Sequence, residues 1–304
     1  MMGTGGIQIQ AVLYRSDPSV LFRAIRAIDQ ASVLAQAKGK SVSLVWGDAS
    51  EKPVFSAREW DAIKQAAPHL ANMEYRFFQE NTGYGKGNNL LAAGSNAEML
   101  LIMNPEIILS PKAITDLLSP FEDSGTGITE ARQIPVEHPK EYDKKTGETE
   151  WASGACFMIP AKLFEDLKGF DTNNFFMYCE DVDLSWRVRM TGRKVLYQPL
   201  AGVYHPRRLS TEGRNQASST EMKYTVLSEA LLAYKWSYPR YARERILKAA
   251  ERGDPGGQEA LQIFREREQQ GQLPDMLDPE HRIAHIIQYP GSGGMLFTWH
   301  RYQL

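Results

Sequence analysis

Met99-Leu100-Leu101-Ile102-Met103-Asn104-Pro105-Glu106 is the stretch on which the fold turns. Five apolar residues in a row read as a short strand buried on both faces, and the run ends abruptly at polar residues and a proline. Working back toward the N-terminus, Asn88 to Ser95 reads as a helix and Glu74 to Phe78 as a strand. Ala57 to Ala67 is a second helix, stopped by Pro68, and Ser41 to Trp46 a strand ending in the turn-like Gly47-Asp48-Ala49-Ser50. Asp17-Pro18 opens a further helix, with Val20, Leu21, Ala24, Ile25 and Ile28 at helical spacing, after a first strand at Gln8 to Tyr14. Strand and helix alternating in this way predict βαβ units: an α/β fold with a Rossmann-like, mostly parallel sheet flanked by helices.

In such sheets ligands bind outside the carboxyl ends of the strands. The polar residues after each strand are therefore the candidates: Tyr14, Arg15 and Asp17; Asp48 and Ser50; Asn81; and Asn104 to Glu106. Toward the C-terminus the rhythm breaks. Gly125 to Thr149, rich in charge, reads as a long loop, either poorly ordered or functional as a lid that orders when a ligand binds. Order returns at Trp151 to Pro160, followed by a helix starting near Pro160, a helix at Glu180 to Met190 and a strand at Lys194 to Tyr197 leading to His205. After Pro206 the composition turns helical, with Glu221 to Trp236 and Gln258 to Gln270 the clearest helices and a hinge-like break at Gly253 to Gly257. This divides the chain into an α/β domain, residues 1–206, and a helical extension, residues 207–304. In the extension Tyr234, Trp236, Tyr238 and Tyr241 beside basic residues suit sugar stacking or an interface.

The 304 residues carry a net charge of -2, so no global positive field argues for nucleic acid; Arg207-Arg208 and Arg243 to Arg245 read as solvated faces. Two cysteines, Cys156 and Cys179, make no disulfide framework and fit a reducing, cytoplasmic setting. The N-terminus lacks the charged and apolar regions of a signal peptide, and no apolar run approaches a membrane span, although contact with a membrane surface and self-association stay open.

Four segments carry chemistry. Asn81-Thr82-Gly83-Tyr84-Gly85-Lys86-Gly87-Asn88-Asn89 combines glycines, which admit close backbone approach, with amide donors and acceptors. Met103-Asn104-Pro105-Glu106 puts a carboxylate at a strand end. Phe175-Phe176-Met177-Tyr178-Cys179-Glu180-Asp181-Val182-Asp183 crowds three acids into the first turn of a helix, more than a dipole alone asks for, with Arg187 placed to pair with Asp183. Trp151-Ala152-Ser153-Gly154-Ala155 is a small-residue strand start.

Together these segments resemble the family 2 glycosyltransferases with a GT-A fold, within them the bacterial rhamnosyltransferase-like members, over about residues 7 to 206. The resemblance implies a nucleotide-diphosphate sugar donor (dTDP-rhamnose favoured, UDP-hexoses behind it), a glycan or lipid-linked glycan acceptor, and single displacement with inversion. Mapped by motif, it implies Asp181 as general base with Glu180 in reserve, and Glu106 with His205 on a Mg²⁺ or Mn²⁺ ion. Donor contacts would come from Tyr14, Arg15, Asp17, Asp48, Ser50, Asn81, Gly83, Lys86, Asn89 and Asn104, and acceptor and sugar contacts from Trp151, Gly154, Ala155 and Asp183. Two departures are visible: Glu106 stands where Asp is usual, and Gly47-Asp48 replaces the family's Asp-Asn. These keep a non-catalytic nucleotide-sugar or glycan-binding module in play as the rival from another class. Glycoside hydrolysis also uses two carboxylates but needs no nucleotide-binding layout.

Overall fold

A computed structural model describes residues 5–137, 140–206 and 218–286. Strands β1 (Ile7–Leu13), β2 (Val42–Asp48), β3 (Asn72–Phe77) and β4 (Met99–Met103) run parallel in the order β3-β2-β1-β4. Helices α1 (Pro18–Ala37), α2 (Ala57–Gln65) and α3 (Gly83–Ala92) make the crossovers. The predicted parallel half is thus present. Beyond β4 the sheet becomes mixed: β8 (Cys156–Pro160) is antiparallel to β4, and β6 (Thr126–Ile134) is antiparallel to β8. β9 (Lys194–Tyr204) then runs parallel to β6, and the short β5 (Ile108–Leu109) and β7 (Glu148–Thr149) are added to β9.

The local reasons are legible. Asp17 caps α1, its side chain accepting from the Ser19 N–H at 2.8 Å, and Pro18 occupies the first turn. All of β4 is buried: Leu101 and Met103 pack into one apolar layer, Leu100 and Ile102 into the layer on the opposite face. Polar residues on β1 tie α3 down: Gln10 Nε2 donates to Asn88 Oδ1 at 3.0 Å, and Gln8 Nε2 to the Leu91 carbonyl at 2.9 Å.

Three expectations change. The segment 125–149 is not a free loop: its first half is β6, a strand in the interior of the sheet. β6 escaped the hydrophobic pattern because it buries polar groups that find partners, Thr129 Oγ1 donating to the Leu117 carbonyl at 2.8 Å and Glu130 pairing with Lys140. The connection after β6 is pinned by Lys140, whose side chain is 1% exposed. Secondly, α3 begins at Gly83, so most of the Gly/Asn segment is helix. A Cβ on Gly87 would lie 2.6 Å from Val12, so that glycine serves helix-to-strand approach.

The third change concerns the helical extension. It comprises α7 (Ser219–Lys235), α8 (Pro239–Glu251) and α9 (Gly257–Gln269). The expected hinge is a packed turn between α8 and α9, where a Cβ on Gly256 would meet Lys223 Cβ at 2.5 Å. Val226, Leu231, Trp236, Ile246 and Phe264 share one apolar core with Trp151, Phe175, Val182 and Trp186. Trp236 is wholly buried, with Tyr234, Tyr238 and Tyr241 packed against that core, so these rings are structural. Arg243 and Arg245 pair with Glu268 and Glu229, while Arg207-Arg208 lie outside the described residues. No helix among the described residues is long and apolar enough to cross a membrane.

Candidate active site at the carboxyl edge of the sheet

Strand direction decides what meets at this edge. β1, β2, β4, β6 and β9 point the same way and β8 runs against them, with Met103 opposite Cys156. The ends of β4 and β9 therefore converge with the start of β8. At β4 the Asn104 N–H donates to the Ala155 carbonyl at 2.8 Å, fixing the Asn104–Glu106 turn against the Gly154-Ala155 pair. From the other side the Gly154 N–H donates to Asp181 Oδ2 at 2.6 Å.

Asp181 belongs to α6 (Glu180–Met190), which starts from two consecutive left-handed residues, Tyr178 (φ 70°) and Cys179 (φ 66°). Such backbone is costly for side-chain-bearing residues and persists only where packing imposes it. Here Phe175 and Cys179 are buried and Ser228 Oγ donates to the Met177 carbonyl at 2.8 Å. Asp181 Oδ1 also accepts the Val182 N–H at 2.8 Å, yet the residue keeps a solvent-facing portion.

The neighbouring carboxyls are set apart by their surroundings. Glu180 is 6% exposed, and its Oε2 has no hydrogen-bond partner among the described residues. Burial, reinforced by the nearby Asp181, pushes its carboxyl up to about 8. Burial raises Asp181 as well, opposed by the N–H groups of Gly154 and Val182 and by the Lys140 ammonium. Asp183 behaves differently from its expected sugar role. It is fully buried, receiving Arg187 Nε at 2.8 Å, Lys235 Nζ at 2.7 Å and Trp236 Nε1 at 3.1 Å, and so clamps α6 to α7.

Glu106 Oε1 lies 3.2 Å from His205 Nε2, and Asn104 Nδ2 is 3.4 Å from the same nitrogen. His205 Nδ1 faces Gln133 Oε1 at 2.9 Å, which makes it the protonated nitrogen and turns the Nε2 lone pair toward the carboxylate. An imidazole lone pair and a carboxylate oxygen facing one another suit a shared cation or a proton. Among the described residues no group of three or more His, Cys, Asp or Glu side chains is placed to hold a metal. The pair fits a hard cation only if ligand oxygens complete the sphere.

On the nucleotide side, Arg15 and Tyr14 are exposed at the end of β1; the Arg15 N–H donates to Ser50 Oγ at 2.8 Å. Arg15 also pairs with Glu51 at 2.5 Å, a carboxylate the sequence reading passed over because no motif contains it. The Arg15 side chain holds the Glu51 carboxyl down at about 2. Lys86 is exposed and pairs with Glu80 at 2.7 Å, and Asn81 Oδ1 accepts from the Gly83 N–H at 3.1 Å.

Three of the residues expected at the donor also have structural partners. Asp48 is wholly buried and accepts the N–H groups of Ser50 (2.9 Å) and Val54 (2.7 Å) and the Tyr75 hydroxyl, so it shapes the loop after β2. Asn89 donates to the Phe170 carbonyl and accepts from its N–H, each at 2.9 Å, holding the Gly169-Phe170 turn. Asp17 is the helix cap described above. Trp151 is buried in the core shared with α7. One residue missed by the sequence reading is Tyr84, whose hydroxyl donates to the Gly154 carbonyl at 2.5 Å and whose ring feels the charges of Glu180, Asp181 and Glu106.

No family model matches the chain. It is 24% identical over 180 residues to the rhamnosyltransferase WbbL of Escherichia coli K12, covering 47% of this chain and 67% of that one. It is 38% identical over 102 residues to an N-acetylglucosaminyl-diphospho-decaprenol L-rhamnosyltransferase of Mycobacterium tuberculosis, covering 34% of this chain and only 31% of the relative. Among solved structures, GalNAc-T7 with UDP, GalNAc and Mn²⁺ superposes with a TM-score of 0.60 at 15% identity, over 89% of this chain and 56% of that one. By fold and by these sequence relatives, the chain is a GT-A-like glycosyltransferase.

Proposed function

We propose that the chain transfers a sugar from a nucleotide-diphosphate donor to a hydroxyl of a glycan or lipid-linked glycan by a single inverting displacement. L-rhamnose from dTDP-rhamnose is the favoured donor, and a UDP-hexose the alternative. The observation carrying this reading is Asp181, held by the Gly154 N–H at 2.6 Å beside the Asn104–Glu106 turn, with part of its surface open to solvent.

An acceptor hydroxyl attacks well only as its proton leaves, and Asp181 is the residue to take it. Glu180, raised by burial, stays protonated near neutrality, so the adjoining Asp181 can carry the negative charge of the pair. Glu106 and His205, with Asn104 beside them, would hold a Mg²⁺ or Mn²⁺ ion. When bound, that ion neutralises charge gathering on the departing diphosphate. Arg15, Tyr14 and Ser50 would meet the nucleoside, and Lys86 and Asn81 lie exposed at the start of α3 for the phosphates. Tyr84, bonded to the Gly154 carbonyl, keeps Gly154 facing Asp181.

The test is thermal stability with dTDP, UDP or GDP, each with and without Mn²⁺. A ligand binding only the native state raises the melting point. A shift from nucleotide and metal together that exceeds the sum of the two separately supports a shared site. Additive shifts contradict it, and the nucleotide giving the largest shift identifies the donor class.

A further inference from the structure

The segment just before Glu180 carries aromatic surface for which the proposed chemistry has no use. Phe176 packs on Gly83 at the start of α3: a Cβ there would meet the Phe176 carbonyl at 2.4 Å and its ring at 3.0 Å. The opposite neighbour is Tyr224 of α7, with ring centroids 4.8 Å apart. Phe176 therefore bridges the Gly/Asn segment and the helical extension. Two residues on, Tyr178 is 36% exposed, bonded through its hydroxyl to Glu221 of α7 and close enough to Glu180 to feel its charge. Its backbone is left-handed (φ 70°), a conformation a tyrosine does not adopt on its own. The chain holds a strained, part-exposed ring near Glu180, the residue before the candidate base, where glycine or asparagine would cost less.

We propose that Tyr178, flanked by Glu221 of α7 and backed by the Phe176–Tyr224 pair, forms the acceptor subsite and stacks on a sugar ring of the glycan acceptor. The proposal rests on the transferase reading above and adds its substrate-facing wall. The surroundings select the occupant. A pyranose has an apolar C–H face and a rim of hydroxyls, so it needs one exposed ring with acceptors at its edge. Tyr178 supplies the ring, and the Glu221 carboxylate lies at its edge. A lipid tail would meet charge there, because the Glu221 carboxylate bonds the Tyr178 hydroxyl and Lys223 stands over the ring of Tyr224, the partner of Phe176, at 5.1 Å. The platform also gives the helical extension a role that the α/β half cannot fill, since Tyr224 and Glu221 both belong to α7.

The test uses the full chain, dTDP with Mn²⁺, and a water-soluble short-chain N-acetylglucosaminyl-diphosphate lipid analogue as probe. Saturation-transfer NMR reads contact of the probe's sugar protons with the protein, apart from any turnover. Wild-type protein is expected to saturate the N-acetylglucosamine ring protons, and Tyr178→Ala to weaken binding by roughly tenfold, the scale of one stacked ring. Tyr178→Gly should do the same while suiting the left-handed backbone, which guards against misreading a folding defect. Tyr178→Phe, which keeps the ring, should stay within about threefold of wild type. The proposal is overturned if the wild-type protein leaves the sugar protons unsaturated or if both ring-less variants bind the probe as wild type does. The nucleotide shift is read in the same samples. Its loss in wild-type protein counts against the donor reading, whereas an intact nucleotide shift beside an unaffected probe counts against the acceptor platform alone.

Discussion

Gly154 and Asp181 are joined by a single short hydrogen bond, from backbone N–H to Oδ2 at 2.6 Å, across 27 residues of sequence. The bond aims the candidate base at the edge where the Asn104–Glu106 turn and His205 also end. A Cβ on Gly154 would lie 3.3 Å from Asp181 Oδ2 and 3.2 Å from the Tyr84 hydroxyl, so a side chain there would crowd both groups.

Replacing Asp181 with Asn should lower transfer by roughly 10²-fold or more while leaving nucleotide binding near wild type. The amide can satisfy only one of the two backbone N–H groups the carboxylate now accepts, so a loss of about 1 kcal/mol in stability is also expected. Glu106→Gln should show the complementary pattern, losing the metal-dependent part of the nucleotide shift as well as turnover. Steady-state kinetics and melting curves on the two variants check this. An Asp181→Asn protein with near-normal transfer removes the assignment.

Glu180 makes stability depend on pH in a stated direction. Its folded value, about 8, lies above the ordinary carboxylate value, so the native state holds the proton more tightly than the unfolded chain. Stability contributed by this group is therefore present below the unfolded value, near 4.5, and is lost as pH rises toward 8. Glu180→Gln, permanently neutral, should flatten this fall and melt higher than wild type above pH 8. Melting temperature followed from pH 5 to 9 checks the slope. Parallel curves for the two proteins contradict a buried, neutral Glu180.

Gly47 stands where the family carries an acid, and its reason is visible in Phe78. A Cβ on Gly47 would come within 2.3 Å of the Phe78 ring. Gly47→Ala should destabilise by about 1–3 kcal/mol, the range for overpacking. Adding Phe78→Ala should recover part of that loss, giving a non-additive double-mutant cycle in denaturant titrations.

Lys235 bridges two carboxylates, Asp171 and Asp183, at 2.8 and 2.7 Å, and all three side chains are largely buried. Lys235→Met would leave both acids without this charge, with an expected cost of about 3–5 kcal/mol. Because α7 to α9 share a core with Trp151, Val182 and Trp186, a chain cut after Pro206 is expected to lose cooperative melting rather than keep a folded donor half. A sharp transition in the truncated protein would contradict this.

The sequence by itself determined the parallel half of the sheet and the location of the acidic turn. Both rest on short-range patterns: apolar runs such as Met99–Met103, the Asp17-Pro18 helix start, and acids packed into the first turn of α6. It also placed Asn104, Glu106, Gly154, Asp181 and His205 at element ends, and these do converge. Only the tertiary structure decided which polar residues are structural. Asn89 and Asp183 match the family motif in sequence and Asp48 stands where the family carries Asn, yet their partners, Phe170, Lys235 and Tyr75, lie elsewhere in the chain. Strand β6 was hidden for the same reason, since a buried Glu130 is stable only because Lys140 arrives beside it. Periodicity reports which face of an element is apolar. Whether a buried charge is paired, or an exposed ring such as Tyr178 meets a carboxylate such as Glu221, depends on contacts between residues far apart in the chain.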